Sequence, residues 1–200
     1  KIIKIDISSN KKLDRYFKGV HYVFHLAGIA DIVPSIENPY KYFKANVIGT
    51  MNVVRAAMNA KVKKFVYAGS ASCYGIPKKF PTNENEKIKT MYPYSFSKWQ
   101  AEEMVMHWAK VYNFPAISLR FFNAYGPRSR TSGVYGAVFG VFLAQKIAKK
   151  PLTIVGNGKQ TRDFIHVKDL VQAIIKAALS KKIGNIYNVG GGKELTVNKI

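Results

Sequence analysis

Cysteine is almost absent from this chain. Cys73 stands alone among 200 residues, so no internal disulfide can form. Acidic residues are scarce too: 11 Asp and Glu stand against 32 Lys and Arg, leaving a formal net charge of +21. Such an excess raises the question of nucleic acid. The cations, however, come singly or in pairs, as in Lys11-Lys12, Lys63-Lys64, Lys78-Lys79, Lys149-Lys150 and Lys181-Lys182, many at expected helix ends and turns. A phosphate-reading module gathers them on one element. A solvated lysine-rich surface with an anionic substrate is therefore expected, and no nucleic-acid partner. Long apolar runs are missing: the longest, Val134 to Ala144, is interrupted by Gly136 and Gly140 and falls short of the ~20 residues of a membrane span. No membrane partner is expected. The opening Lys1-Ile2-Ile3-Lys4-Ile5-Asp6 has neither the apolar core nor the cleavage site of a signal peptide, which makes the cytoplasm the expected compartment. Internal repeats and low-complexity tracts are absent.

What is present is enough apolar material, 48% of residues, for one domain plus a smaller appendage. Lys1 to Ile7 alternates like a strand, Asn10 to Lys18 can form one helix, and His21 to Leu26 is a second short apolar run. Tyr42, Phe43, Val47, Met51, Val54 and Met58 recur at helical spacing between Pro39 and Ala60, and Lys64 to Ala68 reads as the next strand. Tyr92 to Tyr112 is a second long helix, with Pro93 suited to its first turn, followed by a strand at Ala116 to Phe121. Beyond Asn123 the pattern changes to a loop rich in Gly, Arg and Ser, a helix near Ala137 to Lys149, short strands around Leu152 to Val155 and Thr161 to Ile165, and a helix starting at Leu195 to Ile200. Strands separated by helices of this length imply an α/β fold, a doubly wound parallel sheet with helices on both faces. Ligands of such sheets sit at the carboxyl ends of the strands. His25-Leu26-Ala27-Gly28, Ala68-Gly69-Ser70-Ala71-Ser72 and Arg120-Phe121-Phe122-Asn123 fall there.

A tyrosine and a lysine four apart on a helix share one face, so the ammonium can lower the phenol pKa and the phenol can serve as a general base. That spacing occurs at Tyr40/Lys44, Tyr74/Lys78 and Tyr94/Lys98, and by itself selects none of them. Tyr74/Lys78 straddles Gly75 and Pro77 and is not helical, and no hydroxyl-bearing strand end precedes Tyr40/Lys44. Tyr94/Lys98 follows Ser70 by one loop, which lets a strand end and a helix start face the same crevice. Ser70 could then hydrogen-bond a substrate hydroxyl.

Seven segments in order, Asp6-Ile7, His25-Leu26-Ala27-Gly28, Asn46 to Thr50, Ser70 to Gly75, Pro93-Tyr94 to Lys98, Arg120 to Asn123 and Arg162 to Val167, resemble the extended short-chain dehydrogenase/reductase family in its nucleotide-sugar epimerase and dehydratase branch. The resemblance implies a Rossmann-like NAD-binding domain over residues 1–122 and a partial, smaller substrate-binding region over 123–200, with segments returning to the sheet. It implies that Tyr94 is the catalytic base, that Lys98 holds the nicotinamide ribose and tunes Tyr94, and that Ser70 orients the substrate oxygen. Asp6 and Ile7 match positions that contact adenine. Leu26, Ala27, Gly28 and Asn46 match positions around the NAD phosphates and ribose, and Phe122 one beside the nicotinamide. Asn123 and Arg162 match substrate-binding positions, the arginine being suited by its planar five-donor head to a pyrophosphate. His166 is given a structural role only. No metal is implied; the partners implied are a nucleotide sugar, of UDP type, and a second copy in a homodimer.

Within that branch the residues after Ser70 decide. Dehydratases place an Asp-Glu pair there, because losing water needs a further acid and base, and decarboxylases place a Glu where Ser72 stands. Ala71 and Ser72 supply neither, which leaves a nucleotide-sugar 4-epimerase of the UDP-glucose or UDP-N-acetylglucosamine type acting through a transient 4-keto intermediate. A ketoreductase or dehydratase of the same family is the alternative. A non-catalytic dinucleotide-binding protein is a third reading, against which Tyr94 and Lys98 weigh. The family's opening strand and Gly-x-x-Gly-x-x-Gly turn, which bring backbone close to the cofactor pyrophosphate, precede the region matched by Lys1 to Ile7, and Gly190-Gly191-Gly192 comes too late to replace them. The 200 residues are thus expected to be a fragment of a longer protein, to bind NAD weakly when isolated, and to expose sheet edges.

Overall fold

The computed structural model describes residues 2–9, 12–129, 131 and 138–200. In chain order the elements are α1 (Asp14–Phe17), β1 (Tyr22–His25), α2 (Val33–Glu37), α3 (Pro39–Phe43), a π turn (Lys44–Ile48), α4 (Gly49–Asn59), β2 (Lys64–Ser70), a 3-10 turn (Ala71–Tyr74), α5 (Pro93–Tyr112), β3 (Ala116–Phe121), β4 (Asn123–Tyr125), α6 (Val138–Ile147), β5 (Thr161–His166), α7 (Val167–Leu179), β6 (Asn185–Val189), β7 (Glu194–Thr196) and a 3-10 turn (Val197–Lys199). Four strands form a sheet in the order β1-β2-β3-β6, parallel throughout, and β4-β5-β7 form a second, small sheet. The architecture is α/β and Rossmann-like.

Alternation along the central strands explains why helices cover both faces. Phe65 and Tyr67 of β2 face Val53, Val54 and Ala57 of α4 and Ala101, Val105 and Ala109 of α5. Val66, with Ile117 and Leu119 of β3, faces the opposite way onto Leu170, Ile174 and Ala177 of α7. A strand buried on both sides has to read as a nearly continuous apolar run, and β2 is buried from Lys64 to Gly69. Lys64 itself is accommodated because its Nζ donates to Lys182 O at 2.6 Å. Helix α5 begins with Pro93 in its first turn and a Ser95 side chain that accepts from Tyr92 N, and stops at Asn113, whose φ of 50° is left-handed.

The structure departs from the sequence reading in several places. Lys1 lies outside the described residues, and residues 2–7 form no strand. The burial of Ile5 and Ile7 keeps the alternation, but no described residue supplies a ladder partner on that side of β1. Of Asn10 to Lys18 only Asp14–Phe17 is helical, with Asn10 and Lys11 outside the described residues. Leu152 to Val155 forms no strand: these side chains are exposed, and Thr153 is instead tied to Gln145 of α6. Leu195 to Ile200 is not a helix, because Leu195 pairs with Arg162 in the β5–β7 ladder and only a 3-10 turn follows. The long helix from Pro39 to Ala60 is real but interrupted by the π turn, which carries Asn46. Such turns re-aim a side chain at the cost of regular pairing. Ala137, where the sequence starts a helix, lies outside the described residues, and α6 runs from Val138 to Ile147. Among the described residues no helix is long and apolar enough to cross a membrane.

Candidate active site

Helix α5 presents a polar stripe to the sheet. Tyr94, Lys98 and Glu102 follow one another at four-residue intervals, which puts them on one face, and Lys98 and Glu102 are buried. Ser70 ends β2 and caps the 3-10 turn, its Oγ accepting from Ser72 N at 3.3 Å and pairing with Ser72 Oγ at 2.8 Å. Tyr94 Oη reaches Ser70 Oγ at 3.5 Å, a long contact of the sort that tightens when a substrate oxygen enters between partners. The serine, the tyrosine and the lysine named from sequence are therefore gathered at the carboxyl end of β2. The other two Tyr/Lys pairs are not part of this cluster. Tyr40 is exposed, whereas Tyr74 is buried and bonded to Arg120.

The electrostatics differ from the sequence expectation in one respect. Burial pushes the Tyr94 phenol above its ordinary value, offset by the hydrogen bond to Ser70, so the phenol is not lowered toward neutrality. The physical reason is burial, which disfavours the phenolate. Lys98 Nζ donates to Ala68 O at 2.6 Å and sits 4.6 Å from the centre of the Tyr67 ring. Burial lowers Lys98 to about 8, against a smaller opposing pull from Glu102. The folded state thus holds fewer protons than the unfolded chain between about pH 8 and 10.5, and this group's contribution to stability rises with pH across that window. Nitrogen NMR of the lysine side chains in the cofactor-free protein should find one resonance, lost in Lys98→Met, that titrates near pH 8. Titration of that resonance near 10.5 would contradict the buried placement.

A wall for a ligand lies beside the cluster. Leu26, Ala27 and Gly28 follow β1 with their surfaces exposed. Beneath them a buried chain of hydrogen bonds runs from His25 Nε2 to Thr50 Oγ1 at 2.8 Å, and from Thr50 Oγ1 to Asn46 O. Burial lowers His25 to about 3, so the ring is neutral there. Asn46 accepts from Ile29 N at 2.8 Å and donates to Ile29 O at 3.0 Å and Ser97 Oγ at 2.9 Å. With its amide committed and the residue buried, Asn46 braces the Gly28 turn from below and has no surface to offer a ligand directly. A β-carbon at Gly28 would stand 3.0 Å from Asn46 Oδ1 and 3.8 Å from Lys98 Nζ. Asp6 is exposed, and its carboxyl is held below the usual range by hydrogen bonds from Ser8. Ile7 packs on Gly49, and Ile7 O accepts from Asn52 at 2.9 Å.

These residues suit a dinucleotide. Lys98 uses one of three N–H donors on protein oxygen, and an ammonium so buried gains from further acceptors such as ribose hydroxyls. A β-carbon at Gly28 would press on the Asn46 amide and come within 3.8 Å of the Lys98 ammonium, so a side chain here disturbs both the brace of the turn and the head that meets the cofactor. Gly28→Ala should therefore weaken NAD binding by about tenfold while leaving the unfolding midpoint within a few degrees, as read by calorimetric titration and thermal melting. Unchanged affinity would place the cofactor elsewhere.

The remaining sequence candidates sit around the second sheet. Phe122 is half-buried, its N–H donating to Val189 O at 3.0 Å, and Asn123 donates to Asp163 O at 2.8 Å. Arg162 is exposed on β5 and bonds its neighbour's carbonyl, Thr161 O, at 2.8 Å. Among the described residues, none of its hydrogen bonds reaches Ser70 or Tyr94. His166 caps α7 by accepting from Lys168 N at 3.3 Å.

Glu102 has no place in the sequence expectation, and Arg120 and Tyr74, which stand there as part of a strand-end motif and as one of three Tyr/Lys pairs, have no expected role beside it. Arg120 and Glu102 form a buried ion pair with Nη2 to Oε1 at 2.6 Å, and Ser118 Oγ donates to Oε2 at 2.6 Å. Arg120 Nη1 donates to Tyr74 Oη at 2.7 Å, and Tyr74 donates to Asn188 Oδ1 at 2.8 Å. A signal was available: Ser118 and Arg120 interrupt an otherwise apolar strand at every second residue, on the face that meets α5. Among the described residues no group of His, Cys, Asp and Glu is arranged to hold a metal.

A parallel sheet wound on both faces, with polar residues gathered at the carboxyl ends of its strands, defines the dinucleotide-binding Rossmann-like class. The model of the NAD dependent epimerase/dehydratase family matches residues 1–190, and the chain belongs to that family. NAD is its cofactor. A UDP-glucuronate 4-epimerase from Thermodesulfobacterium geofontis is 33% identical over 205 residues, covering 100% of this chain and 61% of that protein. A solved UDP-N-acetylglucosamine 4-epimerase from Methanobrevibacter ruminantium M1, in complex with UDP-N-acetylmuramic acid, superposes with a TM-score of 0.94 at 32% identity, covering 99% of this chain and 63% of that one. The dTDP-glucose 4,6-dehydratase DesIV from Streptomyces venezuelae, solved with NAD bound, gives a TM-score of 0.88 at 25% identity, covering 96% of this chain and 59% of that one. The chain spans about three fifths of the length of these relatives.

Proposed function

We propose that the protein is a nucleotide-sugar 4-epimerase acting on a UDP-sugar, with Ser70, Tyr94 and Lys98 as its catalytic residues. The observation that carries this reading is the pair that follows Ser70. Ala71 has no ionisable group, and the Ser72 hydroxyl is taken up by Ser70 at 2.8 Å, so this turn supplies no acid or base for removing water. Epimerisation needs no such pair. Similarity to epimerases, among other relatives of the family, supports it as well.

Tyr94 takes the proton of the sugar C4 hydroxyl while Ser70 donates to or accepts from the same oxygen and fixes its position. NAD, when bound, would supply the hydride chemistry at C4, with Lys98 and the Gly28 turn as the residues that would hold it. The phenol starts above its ordinary pKa, so it functions as a base only once positive charge is brought close. Lys98 supplies part of that charge from one helical turn away. Tyr94 then returns its proton to the 4-keto oxygen after the sugar has turned over. Asn123 and Arg162 hold the nucleotide pyrophosphate, and the region over residues 123–200 binds substrate while residues 1–122 bind NAD.

Incubation of the protein, as encoded in full, with UDP-glucose, UDP-glucuronate and UDP-N-acetylglucosamine tests the reading. Proton NMR should show inversion at C4 of at least one sugar with no accumulation of NADH. A stable 4-keto product would indicate a dehydratase, and stoichiometric NADH consumption a ketoreductase.

A further inference from the structure

Two segments must be held in register for the site to work: the turn that carries Ser70 and the helix that carries Tyr94 and Lys98. One guanidinium touches both. Arg120, buried on β3, binds Glu102 through Nε at 2.9 Å and Nη2 at 2.6 Å, two helical turns beyond Tyr94 on α5. Through Nη1 it binds Tyr74 at 2.7 Å, in the 3-10 turn that Ser70 caps. We propose that Arg120 is a positioning residue, a forked strut that sets the spacing of Ser70 from Tyr94 by gripping the serine's turn through Tyr74 and the tyrosine's helix through Glu102. The inference rests on the epimerase reading of that cluster.

The surroundings show why the strut is stiff. Ser118 fixes the second carboxylate oxygen of Glu102, and a β-carbon at Gly69 would stand 2.8 Å from that oxygen, so the carboxylate is walled in beside the end of β2. Tyr74 is held from its other side by Asn188 of β6, whose own amide donates to Thr82 O at 3.0 Å and whose N–H donates to the Glu84 carboxylate at 2.7 Å. At Gly75 the backbone has a φ of 63° and a β-carbon would collide with Lys89 O, so the chain leaves the turn by one fixed route. The planar fork of arginine fits two partners at a set angle, which a lysine head cannot do. An isolated ion pair that served stability alone would have no need of a third arm on the loop side.

Tyr74→Phe removes the hydrogen bond of that arm, keeping the guanidinium's contact with the ring at 5.0 Å, and leaves the ion pair in place. In the protein as encoded in full, with a UDP-sugar that the wild type epimerises, kcat should fall by about tenfold or more with KM changed less than about twofold, because a displacement of a few tenths of an ångström to one ångström at reacting groups costs that much. In a Ser70→Ala background the same substitution should cost less than about twofold, since the group it positions is gone. Wild-type kcat in Tyr74→Phe, or an equal loss in both backgrounds, would overturn the proposal. Arg120→Lys, which keeps a cation beside Glu102, should show the same pattern if Tyr74→Phe folds poorly. A crystal structure of either variant gives a readout independent of turnover: Ser70 Oγ to Tyr94 Oη beyond about 4 Å supports the strut, and an unchanged distance refutes it. Failure of the epimerase reading looks different, with no sugar inverted by the wild type or full activity in Tyr94→Phe.

Discussion

Tyr94→Phe is expected to lower kcat by about 10²- to 10⁴-fold, the usual worth of a positioned general base. Affinity for the nucleotide sugar, read by calorimetry, should stay nearly intact, because the ring remains and only one oxygen is lost. Stability should scarcely change either. The phenol's bond to Ser70 is long, at 3.5 Å, while the ring's edge-to-face contact with Tyr42 at 6.4 Å is retained in phenylalanine. The expected pattern is thus a loss in turnover without a loss in binding or fold, which separates a chemical role from a packing role. A Phe variant with wild-type turnover would remove Tyr94 from the mechanism.

Arg120→Met should cost about 3–5 kcal/mol in urea unfolding, a figure typical of leaving one member of a buried ion pair uncompensated. Arg120 and Glu102 side chains are only 4% and 2% exposed, so water cannot take over the lost partner. Against a whole-domain stability of about 5–15 kcal/mol, that loss leaves little margin. The electrostatic origin makes a second expectation. Adding Glu102→Leu removes the orphaned charge and should recover a substantial part of the stability, although the hydroxyls of Ser118 and Tyr74 then need new partners. A cost below about 1 kcal/mol for Arg120→Met would mean that the pair is hydrated in solution.

Much of the fold could be read along the chain because burial leaves a periodic trace. Residues Ala116 to Phe121 form the strand that the apolar run predicts, and Pro93 opens the helix ending at Tyr112 as expected. What escaped had no such trace. The segment at residues 2–7 keeps strand-like alternation without a ladder, since pairing depends on a neighbour and not on the segment itself. Leu152 to Val155 is apolar yet exposed, so composition there does not report burial. Helix α7, although strongly amphipathic, has no place in the sequence expectation, which at this point follows the motif at Arg162 to Val167; that motif forms β5 and gives only Val167 to the helix.

The candidate site was legible in a similar, partial way. Sequence order placed Ser70 next to Tyr94, and their meeting follows from the strand-to-helix path. It could not show that Asn46 is spent on the backbone of Ile29, because the π turn that aims it has no sequence signature. Nor could it show that a buried environment raises the Tyr94 phenol. Tyr74 shared its spacing with a lysine by coincidence, and its true partner, Arg120, lies 46 residues away.

The central claim is that the hydrogen on C4 leaves and returns within one active site. Turnover of the UDP-sugar in D₂O with the protein as encoded in full, followed by NMR, tests it most directly. The account predicts inverted sugar whose C4 carries the original protium, with no deuterium at C5 and no net NADH. Deuterium at C4 or C5, or a 4-keto sugar as the final product, would contradict it.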